Sequence, residues 1–453
     1  MRICLIMPKS ERIPVLRTAY SPPLGLMSIG AYVRQHASEA EVCLVNAELL
    51  DECEVLTAIV QHEPDIIGIT TNVGCYRSAL HLAKKVKQML PHVITILGGP
   101  YVSSLWKECL RRRSYIDFCV VGDGEIPMAR IAGGEVIQHI PGIAWRDSAL
   151  GIVLNEPEDT PLDHYNNPDW LLVDTNSYQQ SYKAAYGISD AVFASIYSMK
   201  GCSWRVKSGG CIFCGLVRPT VRKRSPERVW QEIESLKLSF GCNHFWELSD
   251  TICSDVSWLR HLAKLRADCS ESLYFRGYAR SAEITEEVAD LLSDIGFKEM
   301  FIGVESGDDA ILRATNKGST ARTNIRATRL LARRRISTFA SIVLGLPGET
   351  TQSLDRTYDH VISLFEEGLS TLSVCVFTPY PGSRAFTMMV QEKDSDYQDA
   401  DVFTWPEFAQ AWVEKYCKCN FNEVMEALAR LSEVKGCFYE DNFAYVDREY
   451  DIN

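Results

Sequence analysis

The sequence predicts an α/β protein of two parallel-sheet units in tandem: a doubly wound domain, then a partial (β/α)6 barrel, with a small helical region at the C-terminal end. Three observations predict this. Short β-rich runs alternate with stretches of helical period, and the alternation occurs twice. The turns after many of those runs are built from glycine, proline and small polar residues. At 453 residues the chain also exceeds the ~250–300 at which one hydrophobic core stops growing.

In residues 1–150 the β-rich runs fall at 3–7, 42–46, 66–71, 95–97 and 118–121, with helical patterns near 25–37, 53–62, 76–90, 103–112 and 126–132. Ligands of such a domain bind beyond the carboxyl ends of its strands. The chain there carries Thr71-Asn72-Val73-Gly74, Gly98-Gly99-Pro100 and Gly122-Asp123-Gly124-Glu125. Glycine admits close approach of a ligand to backbone, and it equally makes tight turns. Residues 151–190, with Pro157, Pro161 and Pro168, read as a linker. A second series follows in 191–385, with strands at 192–199, 244–249, 272–278, 299–304, 338–344 and 372–377. Helices are expected near 226–239, 255–267, 285–295, 321–334 and 352–366. Six strand–helix units predict a full or partial barrel whose chemistry gathers at the C-terminal strand ends. The remainder, 386–453, reads as helical between Trp405 and Glu433.

Composition narrows the function classes. Hydrophobic residues at 46% and charged ones at 23% are globular values, and the longest apolar runs are strand-sized, which predicts no membrane span. A net charge of −12 argues against nucleic-acid binding, which depends on neutralising phosphates. The opening MRICLIMP lacks the pattern of a secretory signal, so a cytoplasmic location is expected, with most of the sixteen cysteines reduced. No P-loop, H-E-x-x-H or G-x-S-x-G is present.

The decisive segment is GCSWRVKSGGCIFCG, in which Cys202, Cys211 and Cys214 form C-x8-C-x2-C after the first barrel strand. Three thiolates on one loop suit a [4Fe–4S] cluster with one iron left open for another ligand. A structural zinc site, with Cys242 or His244 as fourth ligand, is the alternative.

The cysteine loop resembles that of the radical S-adenosylmethionine superfamily, whose usual spacing is C-x3-C-x2-C. The five extra residues cost only about 0.9 kcal/mol by the logarithmic law of loop closure. The resemblance implies that Phe213 lies beside the adenine of S-adenosylmethionine and that FIGVESG at 301–307, through Glu305 and Ser306, reaches its ribose. LGLPGET at 344–350 and TPYPGS at 378–383 resemble the turns after the fifth and sixth strands. Glu247, Ser249 and Asp250 match the place where the family holds the methionine amino group. Arg276 and Arg280, read as ending the third strand, are candidates for its carboxylate, with surface salt bridges as the other reading.

A doubly wound domain ahead of such a barrel resembles the cobalamin-binding branch of the superfamily. The resemblance implies a corrin held by the loops at Thr71, Asn72, Gly98, Gly99, Gly124 and Glu125. No D-x-H-x-x-G occurs, so no histidine from that motif replaces the lower axial base. Together the resemblances imply one-electron cleavage of S-adenosylmethionine to a 5′-deoxyadenosyl radical, hydrogen removal from an unactivated carbon, and methyl transfer from cobalamin. A C-methyltransferase acting on a small natural-product precursor or a peptide is expected, served by an electron donor such as flavodoxin or ferredoxin. Cyclase, ring-contracting or epimerase chemistry, a radical enzyme with an empty N-terminal domain, and a non-enzymatic cobalamin or metal sensor are the alternatives. No catalytic side chain is singled out.

Overall fold

The structure is a computed structural model, and it describes residues 1–10, 21–216, 218, 220–391 and 405–439. The first unit runs β1 (Arg2–Met7), α1 (Leu24–His36), β2 (Glu41–Asn46), α2 (Glu52–His62), β3 (Ile66–Thr70), α3 (Tyr76–Met89), β4 (Ile94–Gly98), α4 (Pro100–Arg112), β5 (Phe118–Val120), α5 (Glu125–Ala132), β6 (Ile143–Asp147) and β7 (Gly151–Leu154). Its sheet order is β2-β1-β3-β4-β5-β6-β7, with the first five strands parallel and the last two antiparallel. Strands such as β3, with IIGIT buried on both faces, are the continuous apolar runs that a helix-covered parallel sheet requires. Val55, Leu80, Val86 and Val102 of α2 to α4 pack on one face, and Leu26, Val33, Met128 and Ile131 of α1 and α5 on the other. The domain is therefore doubly wound.

Two strands were not foreseen. β6 and β7 form an edge hairpin whose turn is fixed by Asp147 Oδ1, which accepts from Ala149 N and Leu150 N. β7 extends the first sheet past residue 150. The segment expected as linker also holds α6 (Thr175–Tyr186), capped by the Asp174 side chain and ended by Gly187 in the left-handed region.

The second unit runs β8 (Phe193–Ile196), β9 (Met199–Lys200), α7 (Ser203–Ser208), β10 (Arg222–Lys223), α8 (Pro226–Phe240), β11 (His244–Glu247), α9 (Val256–Ala267), β12 (Tyr274–Ala279), α10 (Glu286–Ile295), β13 (Phe297–Glu305), α11 (Asp309–Ala314), α12 (Ala321–Arg333), β14 (Ser337–Leu344), α13 (Thr351–Glu366), β15 (Thr371–Val376), α14 (Arg384–Gln391), α15 (Trp405–Tyr416), α16 (Phe421–Ser432) and β16 (Cys437–Tyr439). The main sheet is all parallel in the order β16-β15-β14-β13-β12-β11-β8. Among the described residues β8 and β16 do not pair, so the barrel stays open, with β16 as an unforeseen seventh strand. The alternating burial along β13 and β14 sends one set of side chains to the helices and the other into the concave face. That face carries a run of rings, Trp246, Tyr278, Phe301 and Phe339, spaced 5.0–6.1 Å apart. α6 packs on the same face, with Tyr182 stacked on Phe193 at 4.4 Å. No helix among the described residues is long and apolar enough to cross a membrane.

Candidate functional site

The cysteine loop is an excursion closed at its base by the antiparallel pairing of β9 with β10. Gly201 opens it at φ 99°, and a Cβ there would stand 1.9 Å from Thr220 O, so only glycine passes. Asp250 Oδ2 accepts from Gly201 N at 2.6 Å. Glu247 and Ser249 continue this support: Glu247 Oε1 accepts from Ser198 N at 2.7 Å and from Ser249 Oγ at 2.5 Å, while Ser249 Oγ accepts from Met199 N at 2.7 Å. Both side chains are buried and engaged by the strand that launches the loop.

The eight-residue spacer is not slack. Six of its residues form α7, with Cys202 as N-cap and Gly209 and Gly210 in the left-handed region after it. A buttress holds it from the turn after α11. Asn316 Nδ2 donates to Ser208 O at 3.1 Å and to Gly210 O at 2.8 Å, and Trp204 Nε1 donates to Asn316 O at 2.7 Å. Arg280 stacks on Trp204, its guanidinium 4.8 Å from the ring, and donates to Lys317 O at 2.6 Å. Phe213 lies edge-on to Phe377 at 6.5 Å, with Lys317 Nζ 5.7 Å from its ring. Lys317 Nζ in turn donates to Glu305 Oε1 at 2.6 Å. Glu305 ends β13 at φ 66°, a left-handed conformation that costs a residue with a Cβ on the order of 1–3 kcal/mol. Gly303 makes the space, because a Cβ there would stand 2.3 Å from Glu305 Oε1 and 2.6 Å from Lys317 Nζ.

The structure thus brings Phe213, Arg280 and Glu305 to the cysteine loop and leaves others elsewhere. Arg276 is a correction. It is the third residue of β12, not its end, and it donates to Tyr182 Oη at 2.8 Å and pairs with Glu299 at 3.5 Å near the start of β13. At ~3.3 Å per residue it stands about 13 Å from Arg280 along the strand, so the two do not form one carboxylate clamp. Ser306 is fully buried, with its Oγ on Thr357 Oγ1 at 3.1 Å.

In the first unit a cavity of about 480 Å³ opens at the carboxyl ends of β1, β3, β4 and β5. Its lining includes Gly68, Ile69, Ile96, Gly98, Gly99, Val120 and Met128, and Gly124 and Glu125 stand at its rim helix. Thr71 and Asn72, expected there, are not on it: Thr71 is buried and donates through Oγ1 to Gly98 O at 2.7 Å, and Asn72 Oδ1 accepts from Gly74 N. Thr70, one residue earlier, lines the cavity instead. The far wall is the cysteine loop, through Lys200, Gly201, Leu216, Arg218, Thr220 and Arg222, with Asp250.

A charged latch joins the walls. Asp123 bonds Lys200 at 2.9 Å and Arg222 at 2.5 Å. Burial would raise the Asp123 carboxyl, but the two cations outweigh it and hold it well below the usual range. Glu125, fully buried beside Lys200, is raised by desolvation. Sequence reading missed Lys200 and Arg222, because only the β9 and β10 pairing brings them to Asp123.

Burial pushes the Cys211 thiol up to about 11 and raises that of Cys214. Coordination deprotonates a thiol outright. A closed zinc site requires four donors within ~2.3 Å of one ion, whereas a multi-iron core spreads its thiolates over separate metals. Three cysteines on one loop, Cys202, Cys211 and Cys214, match the second donor set. The cavity, apolar and glycine-walled, fits a broad flat macrocycle.

The fifth-strand turn holds an unusual acid. Glu349 is fully buried, and its Oε2 accepts from Gly345 N at 2.6 Å and Leu346 N at 3.0 Å. Burial pushes its carboxyl up to about 8. Native protein keeps this proton while unfolded chain loses it near 4.5, so stability falls as pH rises through that window. Buried His360, lowered to about 4, acts in the opposite sense but only up to its ordinary value of 6.5. From pH 6.5 to 8 the Glu349 contribution declines by roughly 2 kcal/mol, at ~1.36 kcal/mol per pH unit. Glu349→Gln keeps both accepted hydrogen bonds, and the difference between the two proteins' denaturation midpoints is expected to shrink at low pH and widen in the variant's favour towards pH 8.

Comparison with known proteins agrees with this arrangement. Residues 16–132 match the model of the B12 binding domain and residues 196–361 that of the radical SAM superfamily. An uncharacterized methyltransferase of Pyrococcus horikoshii is 25% identical over 394 residues, 85% of this chain and 82% of the relative. The anaerobic magnesium-protoporphyrin IX monomethyl ester cyclase of Synechocystis is 28% identical, covering 76% of this chain and 68% of the relative. Among solved structures the radical S-adenosylmethionine methyltransferase TsrM of Kitasatospora setae, with tryptophan and a SAM analogue bound, superposes with a TM-score of 0.70 at 18% identity, over 87% of this chain and 77% of that one. The chain is a member of the radical S-adenosylmethionine superfamily, of the branch that carries a B12-binding domain ahead of the radical SAM domain.

Proposed function

We propose that this enzyme uses a [4Fe–4S] cluster, S-adenosylmethionine and cobalamin to methylate an unactivated carbon of a small natural-product or peptide substrate. One observation carries the reading: the glycine-walled cavity of the B12-binding domain and the cysteine loop of the radical SAM domain are two walls of one chamber. When bound, the cluster supplies one electron to S-adenosylmethionine and the corrin supplies a methyl group.

The chain's own residues position these partners. Cys202, Cys211 and Cys214 hold the cluster, while Glu247, Ser249 and Asp250 fix the backbone that launches their loop. Arg280, Lys317 and Glu305 line the loop on the side of β13, where Phe213 offers a ring face to a planar base. Gly98, Gly99, Gly124 and Glu125 would hold the corrin, and the Asp123 latch ties the two walls of the chamber together.

The test is anaerobic reconstitution with iron, sulfide and hydroxocobalamin, followed by reduction in the presence of S-adenosylmethionine bearing a deuterated methyl group. Release of 5′-deoxyadenosine together with S-adenosylhomocysteine supports methyl transfer. The likeness to the cyclase favours a second reading, ring formation, for which 5′-deoxyadenosine alone is expected. Absence of both products would refute either.

A further inference from the structure

From the shape of the cysteine spacer we infer a docking surface for an acidic one-electron carrier protein, centred on α7 and the turn that buttresses it. The inference rests on the proposed cluster at Cys202, Cys211 and Cys214 and adds where its electron enters.

Three observations converge. First, the inner side of the loop faces the chamber through Gly201, Leu216 and Thr220, so a protein partner can approach the cysteines only from outside. The outer covering is α7, which runs from Cys202 to within three residues of Cys211. Val206 on it is 55% exposed, an apolar side chain left largely open among the described residues. Second, the rim is basic. Lys207 beside Val206 is exposed, as are Arg313, one turn before Asn316, and Arg384, whose Nη2 donates to Gly210 O at 2.8 Å. Among the described residues no ion pair engages these three cations. The nearby acid Asp309 is instead held by Ala321 N, which donates to its Oδ1 at 2.8 Å. Third, the rest of the molecule opposes the same partner. Asp and Glu outnumber Lys and Arg by 59 to 47, so an acidic carrier is repelled overall and steered to a local cationic rim. A small apolar centre with a charged edge is the form of transient electron-transfer encounters, which bury less than about 1,200 Å².

In the step served, the carrier is oxidised by one electron and the cluster is reduced by one, with no bond made or broken. The test measures bleaching of the cluster's visible absorption by stopped flow in the reconstituted full-length enzyme. Reduced flavodoxin, an acidic carrier, is compared with dithionite, which needs no docking surface. Lys207→Glu combined with Arg313→Glu is expected to slow reduction by flavodoxin about tenfold at low salt and to flatten its salt dependence, with the dithionite rate unchanged. Lys207→Arg should behave as the parent. Equal flavodoxin rates in parent and charge-reversed protein would overturn the docking surface while leaving the cluster intact. A parent protein that dithionite cannot bleach would overturn the cluster itself, and the docking surface with it.

Discussion

Replacing any one of Cys202, Cys211 and Cys214 by alanine is expected to abolish both bound iron and 5′-deoxyadenosine formation while leaving the protein folded and able to take up hydroxocobalamin. A cubane held by three thiolates and an exchangeable ligand does not survive on two, so the loss is complete rather than graded. The cost to the fold is small, since all three side chains are partly exposed on a loop outside the main sheet. Cys202 is the informative member because its distance in sequence from Cys211 departs from the usual spacing. The structure removes the difficulty: at 1.5 Å rise per residue the six residues of α7 span only ~9 Å, and Asn316 ties their far end to the turn after α11. Iron analysis with unchanged thermal midpoints checks the expectation. A Cys202→Ala protein that retains full iron and full cleavage would show that another ligand completes the cluster.

Much of this fold could be read from the residues because local and global signals agree. The buried parallel strands are continuous Ile and Val runs, and helices such as α12 carry their apolar side chains, Ala327, Leu330 and Leu331, at helical spacing. The elements missed are those whose stability comes from elsewhere. β6 and β7 are an edge hairpin that needs β5 beside it, β9 and β10 have two residues each, and α7 is too short to persist without its buttress. At the site, the cysteines and the strand-end turns were legible because their chemistry requires particular residue types. Arg276 was misplaced by half a strand: an arginine within a β-rich run reads as a terminus, because nothing in the sequence discloses that Tyr182, Tyr186 and Glu299 accommodate its guanidinium inside. Thr71 was misplaced by one residue, which on a strand end decides between cavity wall and backbone support. The latch of Asp123 with Lys200 and Arg222 joins residues 77 and 99 positions apart, a separation that no motif encodes.

The complementary variant is Gly98→Leu, expected to weaken hydroxocobalamin uptake by roughly a hundredfold, equivalent to ~2.7 kcal/mol, with iron content unchanged. Gly98 ends β4 on the cavity wall, and a Cβ there meets only Val120 Cβ at 3.6 Å, an ordinary contact. Its φ is not in the left-handed region, so the backbone accepts a side chain without strain. The leucine beyond that Cβ fills space on the wall where the corrin is proposed to lie, and displaces it. Paired with the cysteine variants, the result separates the two halves of the chamber: one set loses iron and keeps the corrin, the other loses the corrin and keeps iron. The proposed methyl transfer requires both and is expected to fail in each, but 5′-deoxyadenosine should still form in Gly98→Leu, because the proposed sites of electron entry and S-adenosylmethionine binding are on the opposite wall. Were Gly98→Leu to bind hydroxocobalamin as tightly as the parent, the cavity at the ends of β1, β3, β4 and β5 would not be the corrin site, and the case for a shared chamber would fall with it.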